Sequence, residues 1–288
     1  MNFGNVLTAM VTPFDKDGNV DHNRTNDLIE HLLANGTDAL VVAGTTGESP
    51  TLSHDEKIAL FKHVVAVVNK RVPVIAGTGS NNTKESILLT KEAEACGVDG
   101  IMLVVPYYNK PNQLGMYEHF KAIAQETKLP IMLYNIPGRS AVKMSVETII
   151  RLSEIENIVS VKEASGDLDQ VSEIIAHTSE DFSLYSGDDG LTLPMLAIGA
   201  DGVVSVASHI IGNEMQTMIK AFQSGQNKEA AAIHRKVLPV MNGLFSAPSP
   251  TPVKAALKLY GVDCGSVRLP LVELTNQEEQ FIKSLLNK

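Results

Sequence analysis

The stretch IVSVKEASGD, Ile158 to Asp167, sets four strand-like residues, Ile158, Val159, Ser160 and Val161, directly before a lysine. Burying Lys162 as a cation at the end of an apolar strand is costly. Seven further runs rich in Val, Ile and Leu share the pattern of an apolar stretch that turns polar at its end. They are NVLTAMVTPF, DALVVAGTTGE, VPVIAGTGS, GIMLVVPYYN, LPIMLYNIPG, FSLYSGDDG and GVVSVASH. With Ile158 the starts fall near positions 5, 38, 72, 100, 129, 158, 182 and 202. Most runs are continuously apolar rather than alternating, as parallel strands covered by helices are. Amphipathic segments such as HDEKIALFKHVVAVVNK and KESILLTKEAEACG separate them, the second stopping at Gly97. Strand and helix units in this number predict an α/β fold, a (β/α)8 TIM barrel.

The competing fold is an open doubly wound sheet. Its nucleotide fingerprints are missing. Gly77-Thr-Gly79 begins a GxGxxG, but Asn82 holds the third glycine position, and no GxxxxGK[ST] exists. The barrel is therefore expected over residues 1–224. The remaining segment, 225–288, holds more helix than an eighth unit needs and predicts a C-terminal helical extension packed on the barrel. APSPTP, Ala247 to Pro252, reads as a rigid turn between helices.

Composition narrows the function. A net charge of −9 argues against a nucleic-acid or anionic-membrane partner, which favours a basic face. Two distant cysteines, Cys96 and Cys264, form neither a disulfide framework nor a CxxC site, and they fit a reducing cytosol. MNFGNVLTAMVTPFD lacks the basic start of a signal peptide, and no run of about 18 apolar residues offers a membrane span. The expected location is cytoplasmic. Eight histidines include no HExxH, so no metal site is expected. Asp188-Asp189 fits turn chemistry as well as metal binding.

In such a barrel the chemistry sits at the C-terminal ends of the strands. Those ends read Gly44-Thr45-Thr46-Gly47-Glu48, Pro106-Tyr107-Tyr108-Asn109, Tyr134 to Arg139, Lys162-Glu163 and Ser186 to Gly190. Alternation along a strand predicts Lys162, Ser160 and Ile158 facing inward, with Glu163 and Val161 toward the helices. It groups Met132 with Tyr134, and Val41 and Ala43 with Thr45. A bulge would reverse this facing. Desolvation of an inward lysine lowers its pKa, and the neutral amine forms a Schiff base with a carbonyl compound. The protonated imine acidifies the neighbouring carbon. Tyr134, Thr45 and Tyr108 supply hydroxyls of the type that shuttles protons, and Arg139 can grip a carboxylate. The plain alternatives are a Lys162 that snorkels to solvent or pairs with Glu163, a core Tyr134, and a helix-capping Thr45-Thr46.

GTTGES at 44–49, PYYNKP at 106–111, YNIPGRS at 134–140, VKEASGD at 161–167 and SGDDG at 186–190 closely resemble the dihydrodipicolinate synthase family. The family belongs to the class I pyruvate aldolases, a group that includes N-acetylneuraminate lyase. The likeness runs from LTAMVTPF to PSPTPVKAAL, essentially the whole chain. It implies a lyase that condenses pyruvate with L-aspartate 4-semialdehyde on the route to diaminopimelate and lysine, with no cofactor. By motif, Lys162 is the Schiff-base residue and Tyr134 the proton relay. Thr45 links Tyr134 to Tyr108, which the family takes from the neighbouring subunit of a dimer or tetramer. Thr46 holds the pyruvate carboxylate, Arg139 binds the semialdehyde carboxylate, and Gly187 and Val204 offer backbone carbonyls. A sibling aldolase would share Lys162 and Tyr134 and differ at Thr46 and Arg139. A non-catalytic metabolite-binding barrel would have lost Lys162, Tyr134 or Thr45. The chain keeps Ser49, His54, Asn81, Glu85 and Tyr107 of the lysine-inhibited members but carries Lys57 and Pro50 where they have a second histidine and a small residue. A lysine there repels a cationic effector, so feedback inhibition by L-lysine is expected to be weak or absent.

Overall fold

A computed structural model describes residues 2–286. Eight strands close into a parallel barrel in sequence order, β1 pairing with both β2 and β8. They alternate with helices: β1 (Val6–Ala9), α1 (His22–Ala34), β2 (Ala39–Val42), α2 (His54–Val68), β3 (Val74–Gly77), α3 (Thr83–Ala95), β4 (Gly100–Val104) and α4 (Gln113–Ala124). The second half follows the same order: β5 (Ile131–Asn135), the single turn α5 (Pro137–Ser140), α6 (Val146–Ser153), β6 (Ile158–Glu163), α7 (Leu168–His177), β7 (Ser183–Ser186), α8 (Thr192–Ala197), β8 (Gly202–Ser205) and α9 (Ser208–Gln223). Beyond these lie α10 (Asn227–Gly243), α11 (Thr251–Leu259) and α12 (Asn276–Leu286). The expected TIM barrel with C-terminal helices is thus present, and APSPTP leads from the connection after α10 into α11, whose first two residues are its Thr251 and Pro252.

Local chemistry starts the helices where the strands release the chain. Ser53 and Glu56 form a reciprocal capping box on α2. Asn82, the residue that spoils the glycine fingerprint, caps α3 by accepting from the backbone N–H groups of Lys84 and Glu85. Asp167 caps α7 in the same way through Gln170. The capped helices then bury one face each. On α2 that face is Leu60, Phe61, Val64 and Val68. Each such side chain, fully buried, contributes about 1.5–3 kcal/mol.

The apolar residues form two layers. An outer one packs strands against helices and includes Leu40, Val42, Leu103, Leu133 and Val161. An inner one fills the barrel with Leu7, Val41, Ile75, Met102, Met132 and Tyr185. Two expected facings are corrected here. Ile158 lies in the outer layer, while Val159 packs against the inner one. The cause is a register slip between β5 and β6. Ile131 pairs with Ile158 but Met132 pairs with Ser160, leaving Val159 as an extra residue. Ala43 also joins the outer layer instead of sharing the Val41 face. Its φ of 52° ends β2 and starts the turn, so strict alternation stops at Val42.

Candidate active site

Above the β6 slip the strands run in step, with Tyr134 opposite Lys162 and Asn135 opposite Glu163. Lys162 is only 5% exposed, and its Nζ lies 4.1 Å from the centroid of the Tyr134 ring. Burial lowers its pKa to about 8. Asp189 pulls the value back up, and Arg139 pushes it further down. At pH 7 about a tenth of this amine is therefore unprotonated, against less than about a thousandth for an ordinary lysine. Burial also raises the Tyr134 pKa, against the opposing pull of Arg139 and of a hydrogen bond with the Thr45 side chain. The phenol keeps its proton and can donate it.

The Tyr134 ring forms part of the wall of a cavity of about 290 Å³ at the barrel mouth, with Gly44, Thr45, Lys57, Tyr107 and Arg139 around it. Lys162 stands against the Tyr134 ring, not on the cavity lining. Arg139 is exposed on the turn α5, whose buried Ser140 hydroxyl shares its proton between the Ile136 and Val142 carbonyls. Thr46 is buried in the turn after β2. There Glu48 takes a left-handed φ of 56°, and the Ser49 N–H donates to the Gly44 carbonyl over 3.3 Å.

Gly187 packs directly on the lysine. A Cβ added at Gly187 would stand 2.6 Å from the Ala164 Cβ and 3.2 Å from the Lys162 Cγ and Cε. Val204 is buried in the inner layer with Tyr134. Of the sequence-derived candidates only Tyr108 stands apart: it is 87% exposed, with φ at 72°. Among the described residues no group of three or more His, Cys, Asp or Glu side chains is placed to hold a metal ion.

One residue set aside on sequence belongs to this site. Turn chemistry accounts for Asp188, whose Oδ1 accepts from the Gly190 and Leu191 N–H groups. It does not account for Asp189, a buried carboxyl whose Oδ2 accepts from the Val206 and Ala207 N–H groups at 3.2 and 2.9 Å. Burial raises its pKa, and it is the group that pulls the Lys162 pKa upward. GDDG gives no hint of which aspartate turns inward.

A desolvated lysine beside a tyrosine, at the C-terminal mouth of a closed (β/α)8 barrel, defines an enzyme of the Schiff-base aldolase class. The chain belongs to the dihydrodipicolinate synthetase family, whose model matches residues 2–288. It is 64% identical over 288 residues to the 4-hydroxy-tetrahydrodipicolinate synthase of Bacillus velezensis, covering all of both chains. The crystal structure of dihydrodipicolinate synthase DapA-2 from Bacillus anthracis superposes with a TM-score of 0.99 at 61% identity, covering 100% of this chain and 99% of that one. The enzyme from Cyanidioschyzon merolae, solved with lysine bound, superposes with a TM-score of 0.97 at 50% identity, covering 99% and 97%.

Proposed function

We propose that the chain condenses pyruvate with L-aspartate 4-semialdehyde through a Schiff base on Lys162, as a 4-hydroxy-tetrahydrodipicolinate synthase. The observation that carries this reading is the Lys162 amine, buried and held against the Tyr134 ring behind an open cavity. The neutral amine attacks the pyruvate ketone. Tyr134, hydrogen-bonded to Thr45, protonates the departing hydroxyl, and water leaves as the imine forms. Loss of a methyl proton through the same relay gives an enamine, whose carbon bonds to the aldehyde carbon of the second substrate. The new alkoxide takes a proton. Hydrolysis or displacement of the imine then frees Lys162. The protonated imine formed on Lys162 is the electron sink, so the cycle needs no metal or organic cofactor.

Thr46 is assigned the pyruvate carboxylate and Arg139 the semialdehyde carboxylate, with Gly187 and Val204 offering backbone carbonyls. Tyr108, exposed in one protomer, suits a residue lent across an interface to complete the partner's relay. The active form is accordingly a dimer or a dimer of dimers, in the cytoplasm. Among the described residues no helix is long and apolar enough to cross a membrane. Lys57 and Pro50 line the same cavity as Ser49 and Tyr107. A second cation there disfavours L-lysine, so we propose weak or absent feedback inhibition. Strong inhibition of the purified protein by L-lysine would refute that part alone.

Incubation with pyruvate and sodium borohydride, followed by peptide mass spectrometry, tests the central step. A pyruvate-derived mass on the Lys162 peptide supports it. An unmodified Lys162 under conditions where pyruvate binds overturns it.

A further inference from the structure

The pairing that sets Lys162 opposite Tyr134 on the inner face sets Glu163 opposite Asn135 on the outer face. Glu163 is 1% exposed and Asn135 fully buried. Among the described residues, the Glu163 carboxyl accepts from uncharged N–H groups. Its Oε2 accepts from Asn135 Nδ2 at 2.9 Å and from Gln170 Nε2 at 3.1 Å. Its Oε1 accepts from the Ser165 backbone N–H at 2.7 Å. Asn135 in turn accepts through Oδ1 from the Met144 N–H at 3.0 Å. One buried carboxyl thus joins β5, β6, the start of the following loop and helix α7.

The register this network holds is not the only one open to β6. Val159 is an extra residue in the ladder. Side chains alternate with period two, so a one-residue slip would turn Lys162 to the helices and Glu163 into the barrel. Apolar packing discriminates weakly between the two, because Ile158, Val159 and Val161 are interchangeable aliphatic residues. A buried carboxyl discriminates strongly, since only one register gives it its donors. Bulges beside active sites serve to aim side chains.

We propose that Glu163, held by Asn135 and Gln170, is a positioning residue that latches β6 to β5 and so aims the Lys162 amine at Tyr134. Its catalytic consequence rests on the Schiff-base reading, but the placement of Lys162 does not. The groups that face Lys162, namely Tyr134 on β5, Arg139 on α5 and Asp189 after β7, are untouched by changes at the latch.

The test uses Glu163→Gln, which turns one acceptor into a donor among converging donors, and Gln170→Ala, which leaves the Asn135 and Ser165 bonds in place. Trace acetylation with acetic anhydride across pH, read on the Lys162 peptide, reports the amine's ionisation without pyruvate. We expect its midpoint to move from about 8 toward the ordinary lysine value of 10.5 as the amine gains water. At saturating substrates kcat should fall by about 10²-fold, the scale of a misplacement near 1 Å, with little change in the pyruvate KM. A wild-type midpoint and a wild-type kcat in either folded variant overturn the proposal, even where melting temperature drops. Should Glu163→Gln not fold, Gln170→Ala decides. A wild-type protein that borohydride fails to trap with pyruvate sinks the Schiff-base reading, while the acetylation midpoints still judge the latch.

Discussion

At the scale of single residues, burial decides what a side chain can do. With its pKa lowered to about 8, the Lys162 amine deprotonates within the working range. The rate of borohydride trapping with pyruvate should rise with pH through about 8 and level off above it, in contrast to a surface lysine, which keeps gaining amine toward 10.5. A flat profile between pH 6 and 9, on the order of the range a folded enzyme tolerates, would contradict that placement. His209 shows the same force acting on stability. Its Nδ1 donates to the Val206 carbonyl at 2.8 Å, and its Nε2 accepts from the Val11 N–H at 3.2 Å, which fixes the neutral tautomer. Desolvation lowers its pKa to about 4. Unfolded, the imidazole takes up a proton below about 6.5; folded, only below about 4. Between these values the unfolded chain binds more protons, so stability falls as pH drops from 6.5 to 4, by about 3 kcal/mol for this group. His209→Gln should therefore lose less stability than the wild type between pH 7 and 4, measured by urea midpoints. His119, lowered to about 4 by burial, keeps part of the slope in both.

At the scale of elements, the sequence pattern and the backbone part company at particular places. The eight apolar runs and the helix stop at Gly97 were legible because continuous apolar composition and a terminating glycine mark them in the sequence. Lys162 was legible as inward and Glu163 as outward, and Tyr134 as sharing a face with Met132. Ile158 was not, because the bulge at Val159 costs a register and leaves no mark in composition. Ala43 was not, because a left-handed alanine looks like any other alanine. The Asn135–Glu163–Gln170 contact was invisible for a different reason: it depends on which strands pair, and in what register. Glycines record the tightest approaches. At Gly77 an added Cβ would meet the Ala43 carbonyl oxygen at 2.6 Å, which is backbone and cannot step aside. At Gly187 it would press on Ala164 and on the Lys162 stem. Gly187→Ala should displace the amine from Tyr134 and lower kcat by about 10²-fold, in a protein whose circular dichroism is unchanged. Wild-type turnover in that variant would show that the stem has room the packing denies it.

At the scale of the whole molecule, the question is whether the helices past the barrel are an appendage. The division we propose from the sequence, barrel to residue 224 and extension from 225 to 288, describes the chain's course, but buried charge ties the two together. Lys254 on α11 donates to Glu48 Oε1 at 2.8 Å and to the Ser266 carbonyl at 2.7 Å, and both side chains are almost wholly buried. The Arg268 N–H donates to Glu48 Oε2 at 2.9 Å, and its guanidinium pairs with Glu56 at the start of α2. Lys254 and Arg268 also sit over the Phe14 ring, at 4.2 and 4.4 Å from its centroid. Glu48 belongs to the turn that carries Thr45 and Thr46, so the extension helps hold the hydroxyl relay in place. Removing one partner of a buried pair costs more than removing both, because the survivor keeps its desolvation without its attraction. Lys254→Met should therefore destabilise the fold by about 3–5 kcal/mol, and adding Glu48→Gln should recover part of that loss. Both are measured by guanidinium unfolding at fixed protein concentration. The wild type should unfold in one transition. Two separate transitions, or additive losses in the double variant, would mean that barrel and extension hold together by apolar packing alone and that the turn bearing Thr45 and Thr46 stands without them.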